Sequence, residues 1–251
     1  GPPEVMPGEG FTIPDALPAI HAAMSPRLPG HICTGPVAVE GLRAGEVLEV
    51  RNSEAREACR AFSEQLVTRF FGTLNAAARR ASPGHLNLGI RYYTVPPDWC
   101  LAGMRGFDVF SINCYEKVPP ADKISAIAAA VGAPVLIGEW HFGALDAGLP
   151  GSGIGHVRDQ QQRGKAYRRY LEHAAAHPDL VGAHYFTLYD ESALGRFDGE
   201  NWNIGFLDVC NRPYSEMVEA ARVSHGRLYP VAAGHTPPFD EMPEYLPLLF
   251  V

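Results

Sequence analysis

The chain has little of what several large function classes require. No apolar run approaches the roughly 20 residues that cross a bilayer, so no membrane-spanning helix is expected. Lys and Arg total 21 against 28 Asp and Glu, a net charge of −7, and no Lys/Arg-rich block offsets it. That balance argues against nucleic acid or an anionic membrane as a partner. No glycine phosphate loop opens any helix, which argues against a dinucleotide fold. Cysteine is sparse: Cys33, Cys59, Cys100, Cys114 and Cys210 are odd in number, and none sits in a CxxC pair. Reduced, buried thiols are expected, which favours a cytoplasmic setting. No secretory leader is visible. The opening Gly1-Pro2 looks like the remnant of a cleaved tag, so localisation stays open.

What is present is an ordinary globular composition, 46% apolar and 20% charged over 251 residues, enough for one large domain or two small ones. Residues 1–30 are rich in Pro and Gly without a period, and "GPVAVEGLRAGEVLEVR" (35–51) alternates around a glycine turn as a β-hairpin does. The segment 54–80 carries the strongest helical signal. Phe62, Leu66, Phe70 and Leu74 recur every four residues and define its expected apolar face. Beyond it, strands are expected at 85–92, 107–115, 134–140 and 180–190, and helices at 121–132, 158–177 and 213–224. Gly132 is the expected C-cap of the first of these helices. Strands alternating with helices imply βαβ units and a parallel sheet. The expected organisation is a Pro/Gly-rich segment with a hairpin (1–53) followed by an α/β unit (54–251).

Each strand is apolar along its length and turns polar at its C-terminal end. The ends are Arg91-Tyr92-Tyr93, Asn113 and Tyr115, Glu139-Trp140-His141, and Tyr189-Asp190-Glu191. In (β/α) barrels that end of the sheet carries the site. A carboxylate such as Glu139, closing an apolar run beside aromatics, needs either a structural partner or a chemical task.

The stretches "GEWHFGALD" (138–146), "HPDLVGAHYFTLYD" (177–190), "GRFDGENWNIGFLDV" (195–209) and "PYSEMVEAAR" (213–222) resemble the second half of a clan A glycoside hydrolase, nearest to its β-agarase and β-galactosidase-like members. The resemblance implies a truncated (β/α)8 barrel made of strands five to eight. It places the catalytic nucleophile of a retaining β-glycosidase on Glu139, with Tyr115 holding it. It gives Tyr185 the aromatic floor of the sugar site. Arg91, Asn113, Trp140, His141, His184, Asp190, Arg196, Asp198, Glu200, Asn201 and Trp202 become sugar-binding candidates. No cofactor and no metal is implied. Glu139, His141 and His184 could in principle hold Zn²⁺, but sugar hydrogen bonding is the expectation. The remaining histidines, His156, His173, His177, His225 and His235, are expected at the surface or at helix ends.

The departure from that family is as informative. Its acid/base Glu follows an Asn, and no Asn-Glu dipeptide occurs in this chain. The proton donor would come from Glu116, Asp190 or Glu191, or from a second chain. Residues 31–51 also resemble a short piece of the acetamidase/formamidase family, which together with the half-barrel suggests a fusion of two truncated genes. Two other functions stay open at this point: an inert carbohydrate-binding remnant, and an amidase or esterase. A half-barrel leaves two open sheet edges, so a homodimer or another even-numbered oligomer is expected.

Overall fold

The computed structural model describes residues 53–247. A long helix α1 (Ser53–Ala81) leads into strand β1 (Arg91–Tyr92), helix α2 (Asp98–Leu101) and a 3-10 turn (Ala102–Met104). Then come β2 (Phe110–Asn113), α3 (Ala121–Val131), β3 (Val135–Trp140), α4 (Gln160–Ala176), β4 (Leu180–Tyr185), α5 (Ser215–His225) and α6 (Leu228–Ala232). The four strands form one sheet in the order β1-β2-β3-β4, and every pairing is parallel. This is the parallel α/β sheet that the strand and helix alternation implies, and the partial barrel that the family resemblance implies. The hairpin of 35–51 lies outside the described residues.

Local chemistry explains the boundaries. Gly132 closes α3 in the left-handed region (φ 70) and donates its N–H to Ala128 O, as its expected role requires. The Asp159 side chain caps α4 by accepting from Gln162 N at 2.8 Å. β1 is much shorter than the expected 85–92, because only Arg91 and Tyr92 find ladder partners on β2.

The helices cover one face of the sheet. Phe110 and Ile112 from β2 join Phe71, Leu101, Ile124 and Ile127 in one cluster. Ile137 and Trp140 from β3 join Tyr167, Tyr170, Tyr214 and Met217 in another. The Trp140 indole stacks on Tyr170 at 4.2 Å and 9° and meets Tyr185 edge-on at 4.9 Å. Ile112 and Ile137 therefore face the helices. By alternation, the concave face carries their neighbours Arg91, Ser111, Asn113, Leu136 and Gly138.

Three further expectations are corrected. The face of α1 that packs inward carries Phe71, with Val67 against the same cluster, while Leu66, Phe70 and Leu74 are exposed at 48%, 53% and 43%. Both rows are apolar, so spacing alone cannot choose between them. His156 is buried rather than at the surface. Cys210 is exposed, although Cys100 and Cys114 are buried as expected and all four described cysteines are free thiols.

Candidate active site at the strand tips

The tips of β1, β2 and β3 bring three donors to one carboxylate. Glu139 Oε1 pairs with the Arg91 guanidinium at 2.8 Å. Its Oε2 accepts from Asn113 Nδ2 at 2.5 Å and from the Tyr115 hydroxyl at 2.8 Å. The side chain keeps 16% of its surface accessible, so the carboxylate is held but not sealed.

Backbone irregularity makes this geometry possible. The β2–β3 register runs Ile112↔Ile137 and then Asn113↔Glu139, skipping Gly138. Such a bulge re-aims the residue that follows it, and here it lets Glu139 share the concave face with Gly138 and Leu136. Arg91 reaches Glu139 from two strands away across the space a side chain at 138 would fill. A Cβ there would lie 2.2 Å from Arg91 Cδ and 2.8 Å from Ser111 Oγ. Arg91 also donates to Gly138 O at 3.3 Å.

Tyr115 is a donor to an anion in a partly buried setting. Burial first, and then the Glu139 carboxylate, hold its hydroxyl well above the ordinary phenol range. It remains protonated and keeps donating. Its ring meets His141 at 4.8 Å, and His141 in turn meets the Trp202 ring at 5.3 Å. His141 is almost fully buried, and its Nε2 accepts the Ile154 N–H at 2.9 Å. Burial, with the Arg163 charge second, pushes it down to about 3, so it is neutral at physiological pH.

Arg163 fastens the loops behind this row. It is fully buried, donates to Phe142 O at 2.7 Å and to Gln160 Oε1 at 2.9 Å, and also binds Gly205 O. A buried cation needs such complete pairing. The result ties the segment after β3 to the segment after β4. Composition alone gave no sign of it.

The loop after β4 carries a second charged group. Arg196 pairs with Glu191 at 3.2 Å, Asp198 at 2.5 Å and Glu200 at 2.9 Å. Burial raises Glu200 to about 6 against the lowering pull of Arg196, helped by repulsion from Glu191 and Asp198. Glu200 also contributes to raising Tyr115, so the two clusters are close enough to sense each other. Trp202 anchors the loop by donating its N–H to Glu191 Oε2 at 3.0 Å. Asn201 is half-buried beside it.

The remaining candidates fall elsewhere. Trp140 is 1% exposed on the helix side. Tyr185 pairs with Trp140 across the sheet and points the same way, its hydroxyl donating to Phe142 O at 3.1 Å. His184 is exposed at the β4 edge. Asp190 is buried and fully occupied, accepting from Gly205 N at 2.8 Å, Asn203 at 2.9 Å and Tyr214 at 2.7 Å. Glu116 is exposed. Phe186, absent from the sequence reading, presents its ring to His141 at 6.1 Å and to the Arg196 guanidinium at 5.8 Å. Period-two alternation from Tyr185 was the signal that could have found it. Among the described residues, no three His, Cys, Asp or Glu side chains are grouped to hold a metal ion.

No family model matches the chain. It is similar to β-agarase B of Vibrio sp. (strain JT0107), 36% identical over 169 residues, covering 66% of this chain and 18% of the relative. It is also similar to β-agarase A of the same strain, 38% identical over 173 residues, covering 66% and 17%. Among solved structures, an exo-β-agarase superposes with a TM-score of 0.73 at 29% identity, covering 86% of this chain and 31% of that one. The agarase AgWH50C gives 0.68 at 31% identity, covering 78% and 30%. The chain thus spans less than a fifth of the curated relatives' length, and its fold is a glycoside hydrolase-like partial barrel. None of these matches supports the acetamidase/formamidase resemblance of 31–51, which lies outside the described residues.

Proposed function

We propose that residues 54–251 are the nucleophile-bearing half of a retaining β-glycosidase site, acting on β-galactoside, β-glucoside or agar-type linkages, with residues 1–53 a separate segment. The observation that carries this reading is the Glu139 carboxylate, fixed by Arg91, Asn113 and Tyr115 at a strand tip yet still accessible. A carboxylate that attacks an anomeric carbon must be ionised, oriented and reachable. Arg91 pairs with Oε1, and Asn113 and Tyr115 fix Oε2, so the carboxylate is oriented with Oε1 left to reach substrate past the guanidinium.

In the first step Glu139 bonds to the anomeric carbon. The C–O bond breaks, and the leaving oxygen keeps its electron pair and takes a proton from an acid. Water then attacks the anomeric carbon, giving its proton to the conjugate base of that acid, as the ester C–O bond breaks and Glu139 leaves as a carboxylate. Asp190 is too fully hydrogen-bonded to be that acid. The 191–200 loop, whose Glu200 is raised to about 6, or a second copy of the chain supplies it. Phe186, Trp202, Asn201 and the Arg196 cluster border the sugar, and the chain works as an even-numbered oligomer.

Hydrolysis of an aryl β-galactoside and an aryl β-glucoside, compared with an amide substrate, tests the reading. Turnover of a glycoside, with a 2-deoxy-2-fluoro glycoside trapped on Glu139 by mass spectrometry, is the expected result. Sugar binding without turnover would leave a carbohydrate-binding remnant. Amide cleavage alone would overturn the assignment.

A further inference from the structure

The two outer strands differ from the two inner ones. β2 and β3 are almost wholly buried, whereas β1 and β4 alternate partly and fully exposed residues. Among the described residues, each pairs with another strand on one side only. Open edges invite pairing with another strand, and apolar surface lies beside both. On the β1 side, Leu66, Phe70 and Leu74 make an exposed row along α1, next to its buried face. On the β4 side, a groove of about 360 Å³ runs between α4, β4 and α6, lined by Tyr167, Leu171, Leu180, Val181, Leu228 and Tyr229.

We infer that a second copy of this chain closes the sheet, β1 of each copy against β4 of the other, with the α1 row of each seated in the β4 groove of the other. A two-fold axis along the barrel keeps all eight strands parallel and leaves no edge. The row and the groove lie on opposite edges of one sheet, so meeting edge to edge brings them together twice in one pair. Leu66, Phe70, Leu74, Val181 and Tyr229 are between 43% and 88% exposed. At ~100 Å² each for a half-buried large side chain, two copies of these five residues alone would bury on the order of 1,000 Å², the scale of a specific interface. Leu136 apart, the concave face carries polar residues and glycine, so most of the apolar contribution comes from the helix side. The arrangement also completes the proposed site. Arg91, which pairs with Glu139, lies on the open β1 edge, and the second copy's β4 tip comes to rest beside it.

The test reads mass and needs no turnover, so it stands or falls apart from the glycosidase reading. Light scattering of the full chain at micromolar concentration should give twice 27.3 kDa. Phe70→Glu and Val181→Lys alter exposed positions. Each alone should give a monomer with an unchanged cooperative melt, and an equimolar mixture of the two should recover the dimer through one Glu–Lys contact and one unaltered contact. A wild-type monomer would show that this chain covers its own edges, and would overturn the inference. So would a dimer that neither variant weakens, or two monomeric variants that fail to recover on mixing.

Discussion

Two of the carboxylates that several donors grip, Glu172 and Glu139, differ in one respect. Glu172, on α4, is fully buried and accepts from Ser224 at 2.9 Å, Arg227 at 3.0 Å and Phe239 N at 2.9 Å, with Arg168 at 3.2 Å. It ties α4 to α5 and to the segment that follows α6. Glu139 has a similar number of donors but stands at a strand tip with part of its surface open. The closed node joins elements, while the open one leaves room for a reactant. Counting donors would not separate them; the remaining access does.

The largest expected effect is on the open node. Glu139→Gln keeps the shape and loses the nucleophile, so glycoside turnover should fall at least ~10³-fold, about 4 kcal/mol of transition-state stabilisation. The melting temperature should hardly move. A variant that keeps its rate but melts early would put Glu139 in the same class as Glu172. Steady-state rates and a thermal melt on the same preparation decide it.

Next comes the closed node. Glu172→Ala strands two guanidinium groups and a buried hydroxyl, and should cost about 3 kcal/mol in urea unfolding while leaving residual activity per folded molecule intact. An activity loss without a stability loss would erase the contrast.

Tyr115→Phe removes one donor from Glu139. Turnover should drop roughly 10- to 100-fold, with KM little changed, because the hydroxyl orients the carboxylate rather than the sugar. Gly138→Ala should act in the same direction by displacing Arg91. Its KM and kcat can be compared with those of Tyr115→Phe to ask whether both act through Glu139.

The smallest effect is on acid stability, where two windows separate. His141 is held near 3 in the fold against an ordinary value near 6.5. Its contribution is complete above about 6.5 and is lost as pH falls toward 3, with a slope of at most ~1.4 kcal/mol per pH unit. Burial works to raise Glu172, but bonds from Ser224, Arg227, Phe239 N and Arg168 outweigh it and hold it low. Its contribution is complete above about 4.5 and fades below. The urea midpoint should therefore fall from pH 7 to pH 5.5 in the wild type, and that fall should be lost in His141→Gln and persist in Glu172→Gln.

Much of this was legible in the chain itself. The alternation of strands and helices, the C-cap at Gly132, and the polar residues gathered at strand ends follow from periods of 2 and 3.6 and from turn chemistry, which act over a few neighbouring residues. Glu139 stood out as a candidate for the same reason, as the carboxylate that ends an apolar run, while Tyr115 was a polar strand end whose role came from the family resemblance. What packing decided lay beyond that range. Two apolar rows of α1 competed, and only contact with the 3-10 turn and β2 chose Val67 and Phe71. The skipped register at Gly138 turned Glu139 onto the concave face and let Arg91 cross to it. Pairing with Trp140 sent Tyr185 to the helix side and left Phe186 facing the site, while Gly205, Asn203 and Tyr214 closed around Asp190. Local sequence sets which residues can form a strand or a helix. Which face each side chain takes, and whether a carboxylate ends up sealed or open, depends on partners tens of residues away, and only the folded chain brings those together.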